Sequence, residues 1–227
     1  MATLQKARAR ADFARQHLEA LHTGSKVTRW FRQEREPNML EVTPENVIGA
    51  LHRAGIRCVL MGTHGINGYR DEARATSDVD VLVPKKDVRK AVRIMEQEFP
   101  YLEIEENSAV ARFRNPASQK ILIDVMKPSS EAMKLVFRYA VAIGRTHRIP
   151  DLEMALVSKY LAMFAPNRKA AKRQVDAGDF ANIFSTNRRS VDVEKLKRLL
   201  QITSLDRGKE LPSIIEDIDN DRPIKLS

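Results

Sequence analysis

Between residues 43 and 126 the apolar positions switch between two spacings, one of three to four residues and one of two. Val47, Ile48 and Leu51 share a helix face, with Thr43 as its cap, Pro44 at its first position and Gly55 at its end. Residues 56–61 form an apolar run that reads as a strand. Residues 78–83, DVDVLV, alternate strictly and stop at Pro84, which predicts a second strand. Val88, Val92 and Met95 restore helical spacing over 86–98. After Pro100 come YLEIEE, VARFR and KILIDVM, strand-like runs separated by Asn-Ser and Asn-Pro turn signals. From Ser130 onward the spacing is helical, over 130–142, 151–164, 167–184 and 191–202.

Upstream, Leu4, Ala7, Ala11, Ala14, Leu18 and Leu21 predict a helix over 3–22 that Gly24 ends. The following stretch, with Trp30 and Phe31 among Arg29 and Arg32, reads as an arm that docks onto the next domain. The whole pattern predicts an α/β fold, a small mixed sheet with flanking helices, followed by an all-helical domain. Its expected divisions are 1–42 for the basic helix and arm, 43–128 for the α/β core and 129–227 for the helical domain.

Composition narrows the function. An apolar content of 43% is that of an ordinary globular chain and argues against disorder. No run reaches the roughly 18 apolar residues of a membrane span, and no apolar segment of signal-peptide type follows Met1. Cys58 is the single cysteine, so a disulfide within the chain is excluded and a buried thiol in a reducing cytoplasm is expected. The net charge of +9 favours polyanionic partners. Residues 1–36 hold eight Lys/Arg against four Asp/Glu, and residues 165–190 hold a second basic cluster. The DIDND run at 217–221 imitates half of a calcium loop, but Arg222 replaces the required glycine.

The chemistry concentrates in residues 61–83, MGTHGINGYRDEARATSDVDVLV. On an alternating strand Asp78 and Asp80 face one way and Val79, Val81 and Val83 the other. The two carboxylates then stand about 7 Å apart at the backbone, close enough for their tips to share a cation. Asp124, in KILIDVM, supplies a third acid on a separate strand. A hard cation with oxygen ligands, Mg²⁺ or Mn²⁺, suits three carboxylates, and such a set serves phosphoryl-type transfer, with Asp124 alternatively a proton acceptor. Upstream, Gly62 and Thr63 end the first strand where free amides and a hydroxyl would hold phosphates. Arg70 and Arg74 supply charge to neutralise them.

The pattern Gly62-Thr63, then Arg74-Ala75-Thr76, then Asp78-x-Asp80, then Asp124 on another strand, resembles the polymerase-beta-type nucleotidyltransferase superfamily. The R-x-T-x-D-x-D run is most similar to AbiEii-like toxins and minimal nucleotidyltransferases. The helical half adds Lys159 in ALVSKYLA and the D-x-x-D of Asp176 and Asp179 at the end of a basic helix. Thr63 departs from the family pattern, which has Gly or Ser there, and places a methyl group close to the phosphates.

The resemblance implies an enzyme that moves a nucleoside monophosphate from an NTP to an acceptor hydroxyl. Asp78, Asp80 and Asp124 would hold metal and carry the chemistry; Gly62, Thr63, Arg74 and Lys159 would bind the nucleotide. RNA of tRNA type is the expected acceptor, and a cognate antitoxin or toxin protein is an expected partner. Two alternatives stand beside this expectation: a transferase acting on a protein or small molecule, and an inactive scaffold that binds nucleic acid or protein.

Overall fold

The computed structural model describes residues 2–226; the side chains of residues 2–10, 31, 34 and 35 lie outside the described set, and with them those of Leu4, Ala7 and Phe31. Two compact units emerge. The first comprises Met1–Gly68 with Glu72–Pro150, and the second Tyr69–Asp71 with Asp151–Ser227.

The first unit is built on a mixed sheet of seven strands: β1 (Val59–Leu60), β2 (Val79–Leu82), β3 (Glu103–Glu106), β4 (Val110–Arg114), β5 (Ile121–Met126), β6 (Ala140–Ile143) and β7 (His147–Pro150). Their order is β3-β4-β5-β2-β1-β7-β6, with β2–β5 and β1–β7 parallel and the other neighbours antiparallel. Val79, Val81, Ala111, Phe113, Ile123 and Val125 are fully buried on one face. Helices α2 (Pro44–Arg53) and α4 (Val88–Glu98) pack with each other, and α4 lies against β5. Thr43 caps α2 as its sequence predicts, its side chain accepting from Asn46 N at 3.2 Å.

Two features depart from the pattern reading. Helix α1 runs unbroken from Ala2 to Arg35, straight through Gly24. A helical glycine costs about 1 kcal/mol relative to alanine, but the bare Cα leaves room for His64, whose Nδ1 would lie 3.0 Å from an added Cβ. The sheet also continues beyond residue 128, the expected end of the core, because α5 (Glu131–Tyr139) gives way to the β6–β7 hairpin. Gly144, at φ +58, makes its turn.

The second unit contains α6 (Leu152–Met163), α7 (Ala170–Thr186), α8 (Val193–Thr203) and α9 (Leu211–Asp219). Leu156, Tyr160, Phe180, Phe184, Leu196 and Leu211 form its core. Asp151 and Asp192 cap α6 and α8, accepting from Met154 N at 3.0 Å and Lys195 N at 2.9 Å. Among the described residues no helix is long and apolar enough to cross a membrane.

Candidate active site

Sheet register brings the acids together. Asp80 on β2 is the direct partner of Asp124 on β5, and Asp124 is in turn the partner of Arg112 on β4. Partners in a ladder share a face, and Asp78, two residues before Asp80, points the same way. Asp78, Asp80 and Asp124 are all half-buried, whereas Val79, Val81, Ile123 and Val125 between them are buried in the core on the opposite face. The alternation read from the sequence thus sets both the core and the acidic face.

Each acid has a defined neighbour. Thr76 donates its hydroxyl to Asp78 Oδ1. The Arg112 Nε stands 3.6 Å from Asp124 Oδ1. Asp80 lies against Gly62, where an added Cβ would overlap Oδ2 and sit 3.0 Å from Cγ. Among the described residues no group of three or more acidic, histidine or cysteine side chains is drawn together tightly enough to hold a metal by itself. Like charges repel, and two of these carboxylates have turned to a hydroxyl and a guanidinium. The donor chemistry nonetheless fits a hard divalent cation of the Mg²⁺ type, which takes one or two carboxylates and completes its shell with phosphates and water rather than requiring an all-protein cage.

Short helix α3 (Gly62–Ile66) begins at the end of β1. Gly62 has φ +57, which lets the chain turn from strand into helix against Asp80. Thr63 is buried, and its hydroxyl accepts from Arg74 Nη2 at 2.6 Å. Asn67 pins the same arginine's backbone: its Nδ2 donates to Arg74 O at 3.0 Å, and its Oδ1 accepts from Arg74 N at 3.1 Å. The remaining glycines serve packing. A Cβ at Gly65 would lie 2.9 Å from the Leu60 carbonyl carbon, and one at Gly68 would overlap the His17 ring of α1.

His64 is 4% exposed, and neither ring nitrogen has a hydrogen-bond partner among the described residues. Burial pushes its pKa down to about 4, so the ring is neutral at pH 7 and fills space beneath α1.

In the helical unit Lys159 donates to Asp176 at 3.0 Å and pairs with Asp179 at 2.7 Å, and all three are buried. Arg168 meets Asp176 at 2.5 Å and Arg70 meets Asp179 at 2.6 Å, giving a chain of alternating charge from Arg168 to Arg70. Arg70 therefore binds a carboxylate of its own unit.

Arg112 and Asn67 escaped the sequence reading, because their places depend on register and on the path of a loop. Thr76 stood in the R-x-T-x-D-x-D run, but its hydrogen bond to Asp78 was not read from it.

No protein-family model and no curated protein matches the chain. Solved structures do. An antigenic nucleotidyltransferase-like protein from Paracoccidioides brasiliensis is 14% identical, covering 76% of this chain and 88% of that one, with a TM-score of 0.44. The antibiotic-resistance factor ANT(2'')-Ia is 14% identical over 80% of this chain and 97% of its own, with a TM-score of 0.46. Terminal uridylyl transferase 4 from Trypanosoma brucei, with bound GTP, is 16% identical over 88% and 71%, at a TM-score of 0.34.

Proposed function

We propose that this protein transfers a nucleoside monophosphate from an NTP to an acceptor hydroxyl, and that the acceptor is RNA. The observation that carries the proposal is the acidic row: Asp80 and Asp124 in direct register on parallel strands, Asp78 on the same face, and the Gly62 turn against Asp80. Three acids on one sheet face concentrate negative charge, which favours a hard divalent cation, and a nucleotide bound with that cation would bring its phosphates toward the Gly62 turn.

In the reaction the acceptor oxygen attacks the α-phosphorus in line. The new O–P bond forms as the α–β anhydride bond breaks, and pyrophosphate leaves with that bond's electron pair. Asp124 is assigned to take the hydroxyl proton. Asp78 and Asp80 would hold the cation, and Gly62, Thr63 and Arg74 would bind the phosphates. When bound, Mg²⁺ supplies charge neutralisation of the phosphates and polarises the α-phosphoryl group. The net charge of +9 supports RNA as the acceptor.

The test is incubation of the protein with each α-labelled NTP, Mg²⁺ and total RNA, beside an Asp78→Asn variant. Asparagine preserves the shape and the acceptor for Thr76 but removes the charge. Label in RNA that falls by about 100-fold or more in the variant is expected. Full activity in the variant removes the carboxylate assignment, and label in protein instead of RNA reassigns the acceptor.

A further inference from the structure

Beside the acidic strand, within the first unit, Thr28 and Arg32 of α1, Glu36 just after it, Thr76 and Ser77 of the loop before β2, and Lys120 before β5 line a pocket of about 280 Å³. Arg32 is its telling member. It is 2% exposed, yet among the described residues its guanidinium donates to backbone carbonyls: Nη1 to Met39 O at 3.1 Å and to Val42 O, and Nη2 to Ser77 O. Among the described residues its Nε–H has no hydrogen-bond partner.

Glu36 faces this charge, and its carboxylate is also held by Lys120 at 3.2 Å and the Ser118 hydroxyl at 2.9 Å. Among the described lining residues two cations, Arg32 and Lys120, thus stand against one carboxylate, an excess of positive charge that favours an anion.

The rest of the wall carries hydroxyls. Thr28 donates to Thr76 O at 3.0 Å, and Thr76 donates to Asp78, so one wall residue touches an acid of the active site. Among the described residues no ring lines the pocket, so none of them stacks a base there. The volume lies at the low end for ligand sites and suits one sugar-phosphate unit rather than a whole NTP. Ala75 and Ser77 on the rim are exposed, which leaves the pocket open to a longer chain.

We infer that this pocket seats the terminal ribose and phosphodiester of the RNA acceptor, the phosphate answering Arg32 and the terminal hydroxyl lying along Thr76 toward Asp78. The direction of the hydroxyl rests on the transferase reading above; the binding of the phosphate does not. Because the contacts are to sugar and phosphate, the identity of the terminal base has little influence.

The experiment measures fluorescence anisotropy with a short 5′-fluorescein RNA ending in a 3′-hydroxyl. Its counterparts carry a neutral methylphosphonate at the last linkage or at a central one. Neutralising the last linkage is expected to weaken binding about tenfold, and the central one to cost less. Ala75→Phe, at an exposed rim position, should abolish this difference without changing thermal unfolding. Equal affinity for the terminal and central analogues, or undiminished discrimination by Ala75→Phe, overturns the assignment. Binding of ribose 5-phosphate without binding of the RNA overturns it in favour of a small sugar phosphate. Label transfer is followed in the same samples: intact discrimination without transfer to any acceptor supports the pocket and overturns the transferase reading alone.

Discussion

Replacing Gly62 with alanine separates backbone strain from damage to the acidic face. The residue has φ +57, where an L side chain costs about 1–2 kcal/mol. A methyl group there would also overlap Asp80 Oδ2, so the carboxylate must rotate away. For a chain of this size each kcal/mol lowers the melting temperature by about 2–4 °C, so strain alone predicts a fall of about 2–8 °C. Displacing a reacting group by about 1 Å costs about 100-fold in rate, so transfer activity should fall far more than stability does. Scanning fluorimetry and label transfer read the two effects. Gly178→Ala in α7 is the control, since its Cβ meets nothing within 4 Å, and it should stabilise by about 0.5–1 kcal/mol. A double-mutant cycle with Asp80→Ala isolates the clash: without the carboxylate, the Gly62→Ala penalty should shrink to the backbone part. A Gly62→Ala protein with unchanged stability and activity would refute both the strain and the contact.

Acid should destabilise the first unit. His17, His64 and His147 are buried and pushed by burial from 6.5 to about 4, so between these values the unfolded chain binds more protons than the native one. Stability therefore falls as pH drops from 6.5 toward 4, by up to about 1.4 kcal/mol per pH unit for each histidine. A denaturant midpoint that stays constant over this window would refute the burial assignment. In the second unit Lys159→Met leaves Asp176 with Arg168 and Asp179 with Arg70. Its cost should therefore fall below the about 3–5 kcal/mol typical of a broken buried pair. Asp179→Ala takes one carboxylate from both Lys159, which keeps Asp176, and Arg70, and should cost more; the reverse ranking in urea melts would sink the alternating-charge account.

Local pattern reached far into this protein. Alternation in DVDVLV and KILIDVM determined which side chains enter the core and which form the acidic face, because a strand's period of two is a property of its own backbone. Thr43 and Pro44 marked a helix start for the same kind of reason: a cap satisfies amides within its own first turn. Tertiary structure decided what depends on distant partners. Helix α1 passes through Gly24 because His64 uses the space that the missing side chain leaves. The β6–β7 hairpin forms because β7 pairs with β1 far upstream, although residues 130–142 carry helical spacing. Lys159 and the D-x-x-D were both legible, but their mutual pairing needed α6 and α7 side by side. The buried charge of Arg32 and the pocket it lines arise only when α1, the loop before β2 and the start of β5 meet. No single stretch of sequence encodes such a juxtaposition, since its stability comes from burial shared among segments rather than from any one of them.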